Sequence, residues 1–179
     1  NTEQPAIIPT KGMQLFCRVI TDPLDQVSLQ LGTNQAAMKT RNAEVFARLI
    51  DGEYPRYSAV IPEDTKNRVE VNAEMFSRKL RLVSNVTGDD ARAVRLDIKK
   101  GEIEFFGRSV GRGEAHAQME AAFKGPETEI AFNPDYVLEG LKNCEADIVT
   151  LEFSERTSPG KFRLGENYIY VVMPITVEA

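Results

Sequence analysis

One order of elements repeats three times along these 179 residues, and that repetition constrains the fold more than any other feature: a short strand, a helix of about three turns, then three further strands. In the first copy Ala6-Ile7-Ile8-Pro9 reads as the opening strand and Thr10 as a helix N-cap. Met13, Phe16, Cys17 and Ile20 then recur at helical spacing, and strands follow at Val27–Leu31, Ala36–Thr40 and Val45–Ile50. The second copy opens with Arg68–Val71. Asn72 is its N-cap, Phe76, Leu80 and Val83 its buried stripe, and Gly88-Asp89-Asp90 its break; strands are expected at Ala93–Ile98, Glu102–Phe106 and Ala115–Phe123. The third opens with Thr128–Phe132. Asn133 caps a helix with Pro134 at its first position, Val137, Leu141 and Cys144 make the stripe, and strands follow at Ile148–Phe153, Lys161–Leu164 and Tyr168–Met173.

A βαβββ unit of roughly 60 residues cannot bury both a sheet face and a helix stripe alone, whereas two such units can do so together. The expected class is therefore α+β, with helices on one face of antiparallel sheets. Residues 63–179 make a complete two-repeat domain, divided as 63–126 and 127–179. Residues 1–62 hold a single repeat and an inter-domain connection from Asp51 to Pro62. The partner of that single repeat is expected upstream, and the missing initiator Met fits a fragment or a processed product.

The net charge of -5 argues, as an average, against a nucleic-acid partner. Its distribution says otherwise. The three helical segments (10–21, 72–86 and 133–144) together carry +3, leaving -8 for the rest. Lys11, Gln14 and Arg18 lie opposite the first apolar stripe, and Arg78 and Arg81 opposite the second. A solvated helix face and a phosphate-contacting face both fit this pattern. Helices that present cations without a reading head would meet phosphates and ignore base sequence.

Catalytic signals are weak. His116 is the only histidine and has no Cys or His neighbour in sequence; it reads as a surface or edge-strand residue. The glycine-rich stretch Gly107–Gly113 joins two strands, where a phosphate cradle requires a following helix, so it reads as a hairpin loop. Ser158-Pro159-Gly160-Lys161 reads as a turn, and the carboxylates are scattered. No metal, cofactor or catalytic residue is expected. Cys17 and Cys144 read as core thiols in a reducing, cytoplasmic setting. No apolar run approaches a membrane span, and the first residues lack the basic and apolar regions of a signal peptide. The strongly apolar end, Tyr168–Ile175, contains Pro174, which cannot extend a central strand. Such an end is either buried under a neighbour or part of a docking groove, and periodicity alone favours burial.

Three stretches resemble one family. Phe46-Ala47-Arg48-Leu49-Ile50-Asp51-Gly52-Glu53-Tyr54-Pro55, followed by Tyr57 and Val60-Ile61-Pro62, resembles the segment joining the second and third domains of bacterial DNA sliding clamps, the beta subunits of DNA polymerase III. Phe132-Asn133 with Tyr136-Val137-Leu138 resembles the start of the last clamp repeat, and Tyr170-Val171-Val172-Met173-Pro174-Ile175 resembles the clamp C-terminus. Order and spacing match across essentially the whole chain. The resemblance implies a DNA-clamp fold and a head-to-tail homodimeric ring around duplex DNA. It implies a processivity factor with no catalysis of its own, tethering the polymerase III alpha subunit, the clamp loader and repair polymerases through short peptide motifs.

By the same resemblance the peptide groove comprises Pro55, Val60, Asn133, Tyr136, Val171, Met173, Pro174 and Ile175, with Thr157–Pro159 at its edge. Lys11, Arg18, Arg78 and Arg81 face DNA, and Asn85 and Val86 match dimer-contact positions. Ala59 and Thr176 stand where the family often carries basic residues, and Glu178-Ala179 runs past the usual end. Those departures touch the charged rim of the groove, not its apolar floor. Two other readings stand beside the clamp: a clamp-derived peptide-binding adaptor, and a small α+β hydrolase or nuclease. The missing nucleophile or metal set disfavours the nuclease, and the odd number of repeats disfavours the adaptor.

Overall fold

Asn72 starts the best-defined helix of the chain: its side-chain oxygen accepts from the Met75 amide at 2.9 Å, and the helix α2 runs Ala73–Ser84 behind it. Phe76, Leu80 and Val83 are all buried along one side of α2, as their spacing predicts. The computed structural model describes residues 6–88 and 92–176. Asp89 and Asp90 of the expected helix break, and Glu178-Ala179, lie outside the described residues. The chain divides into two compact units, Asn1–Arg56 and Tyr57–Ala179, so residues 57–62 go with the second.

In the first unit, helix α1 (Thr10–Val19) packs on an antiparallel sheet of β1 (Ser28–Leu31), β2 (Gln35–Lys39) and β3 (Glu44–Arg48). Its core is Phe16, Ala36, Met38 and Ala47. Three expectations fail here. Residues 6–9 form no strand; one backbone bond, from the Ile50 amide to the Ile7 carbonyl at 2.9 Å, is what ties them to the end of the sheet. Thr10 is not the N-cap but the first helical residue, because Pro9 holds the extended cap position and its carbonyl already accepts from the Met13 amide. Met13 and Cys17 are exposed, not core. Gly12 explains the rotation. A Cβ built on it would sit 2.8 Å from the Cβ of Ala47, so the helix lies against β3 through a glycine, and the buried side is Gly12 and Phe16. Apolar periodicity cannot see that contact.

The second unit carries a 3-10 turn (Tyr57–Val60), then β4 (Asn67–Asn72), α2, β5 (Val94–Lys99), β6 (Gly101–Ser109) and β7 (Gly113–Lys124). The next repeat supplies β8 (Thr128–Phe132), α3 (Pro134–Leu141), β9 (Ile148–Phe153), β10 (Gly160–Arg163) and β11 (Ile169–Val172). All eight strands are antiparallel to their neighbours, in the order β11-β10-β9-β4-β7-β6-β5-β8. Each repeat therefore lends its first strand to the other: β4 pairs with β9, and β8 with β5. The two ends of the order meet through one backbone bond, from the Ile175 amide to the Ala131 carbonyl at 2.7 Å. Pro174 has no N–H to add a further rung there. The core is aromatic. Phe162 lies 6.5 Å from Phe76 and 5.6 Å from Phe132, and Phe76 lies 5.4 Å from Phe105, centroid to centroid. Cys144 falls beyond the end of α3, half-buried in the following turn, with its thiol donating to the Leu164 carbonyl at 3.2 Å.

Candidate functional site

A row of charges crosses one face of the second unit's sheet. Register places Val171 of β11 opposite Lys161 of β10, Lys161 opposite Glu152 of β9, and Glu152 opposite Arg68 of β4. Side chains directly opposite one another share a face. The Lys161 ammonium lies 2.8 Å from a Glu152 carboxylate oxygen, Arg68 approaches the other oxygen at 3.1 Å, and Arg163 donates at 3.2 Å. Both Lys161 and Glu152 are buried. Burial on its own raises the Glu152 carboxyl pKa, but hydrogen bonds and charge from Lys161, then Arg163, outweigh it and hold the group below the usual carboxylate range. Lys161 also donates to the Pro62 carbonyl at 2.8 Å. That contact holds Pro62 at β10, the strand that pairs with β11.

Seven of the eight groove candidates belong to the second unit, and Pro55 belongs to the first. In β11 Val172 is buried and points inward, so Val171 and Met173 take the opposite side. Tyr170, which shares Val172's side, rests on Gly140 of α3, where a Cβ would come within 2.5 Å of its ring. The Ile175–Ala131 bond sets Met173, Pro174 and Ile175 beside the β8–α3 junction, where Asn133 caps α3 by accepting from the Asp135 amide at 2.9 Å. Tyr136 projects from the first turn of α3, and Arg92 braces that turn through Asp135 at 2.9 Å. Tyr136 is 61% exposed, Met173 62% and Val60 58%. Pro174 and Ile175 are half-buried. In the β9–β10 loop Thr157 is exposed and Ser158 and Pro159 half-buried. Pro55 is exposed within the first unit.

The basic candidates divide between the units. Lys11 and Arg18 are exposed on α1, and Arg78 and Arg81 on α2. None of the four forms an ion pair among the described residues. Just beyond α2, Asn85 is exposed and Val86 half-buried. Elsewhere, His116 is exposed, 3.0 Å from Glu104, its ring tilted against Phe106 with centroids 4.8 Å apart. Among the described residues, no group of three His, Cys, Asp or Glu side chains could hold a metal ion. Of the glycine-rich stretch only residues 110–112 form the β6–β7 hairpin tip; Gly107–Ser109 still belong to β6 and Gly113 opens β7. No helix among the described residues is long and apolar enough to cross a membrane.

What sequence reading missed is the Lys161–Glu152–Arg68 row. Glu152 sits between apolar Leu151 and Phe153 in a strand whose residues from Val149 to Phe153 are all buried, on both faces. A carboxylate inside such a run was the available signal, because a doubly covered strand keeps an acid only where cations meet it.

Paired βαβββ repeats, with helices bearing exposed cations and an apolar terminal strand, define a DNA-clamp fold. The chain belongs to the DNA polymerase III beta subunit family: residues 58–176 match its C-terminal domain and residues 1–56 its central domain. It is 28% identical to the beta sliding clamp of Rickettsia felis, over 96% of this chain and 49% of that protein. It is likewise 28% identical to the beta sliding clamp of Haemophilus influenzae, over 94% of this chain and 47% of that one. The crystal structure of the Bartonella birtlesii sliding clamp bound to griselimycin superposes with a TM-score of 0.89 at 27% identity, covering 98% of this chain and 48% of that one. The chain thus spans about half the length of the curated relatives it matches.

Proposed function

We propose that this chain serves in a non-catalytic sliding clamp, a homodimeric ring that encircles duplex DNA and carries replication proteins along it. Lys11, Arg18, Arg78 and Arg81 meet phosphates without reading bases, which suits a contact that must slide. Asn85 and Val86 lie in the head-to-tail contact between subunits. Pro55, Val60, Asn133, Tyr136, Val171, Met173, Pro174 and Ile175 receive the short peptide motifs of the polymerase III alpha subunit, the clamp loader and repair polymerases. The observation that supports this best is that Val60, Tyr136 and Met173 are each exposed on the unit whose β9 and β10 are fixed by buried charge.

Griselimycin, bound by the Bartonella birtlesii clamp, is the probe for the groove. Met173→Ala is expected to weaken its binding by about 1–2 kcal/mol in calorimetric titration, the usual range for a buried anchor. Parent-like affinity in both Met173→Ala and Val171→Ala, with folding intact, would show that the terminus is core and not groove. For the DNA face, Arg78→Ala/Arg81→Ala should lower retention on duplexes of every sequence. It should also flatten the salt dependence by roughly one log–log unit per lost phosphate contact.

A further inference from the structure

Lys161 is a buried lysine that does two things with one ammonium. It pairs with Glu152, and it holds the Pro62 carbonyl. The pair does not need it for balance: Glu152 keeps Arg68 and Arg163 whether or not Lys161 is present. The Pro62 bond has no such substitute. Among the described residues it is the hydrogen bond that ties residues 57–62 to the sheet. Further along, Asp64 is held by the Ser154 hydroxyl at 2.9 Å and Lys66 by Glu155 at 3.3 Å. Those two ties fix the downstream end of the connection. They leave Tyr57 to Pro62, an exposed 3-10 turn and its exit, to one buried cation.

We propose that Lys161 is a positioning residue for the groove, locking residues 57–62 beside Val171 so that Val60 forms a fixed wall of the apolar site. The inference rests on the groove reading above and goes beyond it, because Lys161 need not touch the ligand. Its chemistry suits the task. An ammonium with three donors can satisfy a carboxylate and a carbonyl at once, and a buried, charge-assisted bond resists solvent competition. Without it the 57–62 segment has, among the described residues, no hydrogen bond to the sheet to repay the entropy of holding one position there.

The test uses protein carrying residues 1–179 with Lys161→Met, which keeps an apolar stem one atom shorter and removes the charge. Amide hydrogen exchange and griselimycin titration are the two readouts. Exchange is expected to quicken by at least ~10-fold at residues 58–61 while β9, β10 and α3 keep parent protection. Griselimycin should bind about 5-fold more weakly, since ligand binding now has to order the wall. Ser154→Ala, which cuts the downstream tie to Asp64, should match the parent in both readouts. Lys161→Gln, too short to reach Pro62 but able to hydrogen-bond to Glu152, carries the same expectation as Lys161→Met and stands in if that variant does not fold. Three results overturn the proposal: parent-like exchange and affinity in Lys161→Met, faster exchange spread evenly over the unit, or the same change in Ser154→Ala. A parent that does not bind griselimycin would defeat the groove reading, while exchange at 58–61 still judges the tether on its own.

Discussion

In the second unit each repeat gives its first strand to the other, so β4 lies against β9 and β8 against β5. The first unit has one repeat and no strand at residues 6–9 to give or receive. The cores differ accordingly. Five phenylalanines are fully buried in the second unit, while the first gathers one phenylalanine, one methionine and two alanines. Leu29 on β1, Phe46 on β3 and Met13 on α1 stay exposed. The same local pattern thus yields a dense core only where a second copy completes it, because the exchanged strand and the facing helix supply surface that a repeat cannot supply to itself.

The largest effect that would sharpen this contrast comes from the aromatic centre. Phe162→Ala removes a ring that packs on both Phe76 and Phe132, and about 3–5 kcal/mol of the second unit's stability should go with it in denaturant unfolding. Native-state hydrogen exchange at Ala36–Met38 in the parent should report opening free energies well below those at Leu96–Ile98. Equal protection in the two places would break the comparison.

Next comes Glu152→Gln, which leaves Lys161 buried without its carboxylate; a loss of about 3 kcal/mol is expected. The same group sets an acid limit. Its folded pKa lies below the ordinary carboxylate value, so its contribution is present above that value and is lost as pH falls through the lowered one. Parent stability should therefore drop on acidification below about pH 4.5, and the Glu152→Gln variant should show a shallower drop across the same window. Identical pH profiles would remove Glu152 from the account.

The smallest contrast concerns caps. Asn72→Ala should cost about 1 kcal/mol, since it removes a side-chain cap. Thr10→Ala should cost close to nothing, because Thr10 is already inside α1 and caps nothing. A comparable loss for both would mean the start of α1 is misplaced.

Much of this was legible from local signals. Asn133-Pro134 announced α3, the Phe76/Leu80/Val83 spacing gave the buried side of α2, and strand β8 could be read to the residue. The strand exchange was not legible, because nothing near Arg68 specifies that its neighbour is Glu152. Nor was the seat of α1, where the contact is made by a glycine that hydropathy cannot score. At the apolar terminus, Val172 is buried as periodicity suggests while Met173 is exposed, and the groove itself was legible only through the resemblance. Lys161 escaped notice because a lysine in a strand reads as solvent-facing; its burial depends on a carboxylate one strand away and a carbonyl far back in the chain.

The exchanged strands also carry a consequence for time. Ribosomal synthesis delivers β4, α2 and the β5–β6–β7 meander early, and β4 can dock on β7 of its own repeat as soon as β7 emerges. Its other edge must wait: Asn67 meets Phe153, and Asn72 meets Ile148, only after residues 127–153 have been made. Until then β4 presents an open row of amides and carbonyls, the kind of edge that recruits another chain. Such distant pairing also slows the search for the native register. The vulnerable moment for this polypeptide is thus its own birth, and conditions that slow translation through residues 127–153 should raise aggregation more than an equal delay anywhere later.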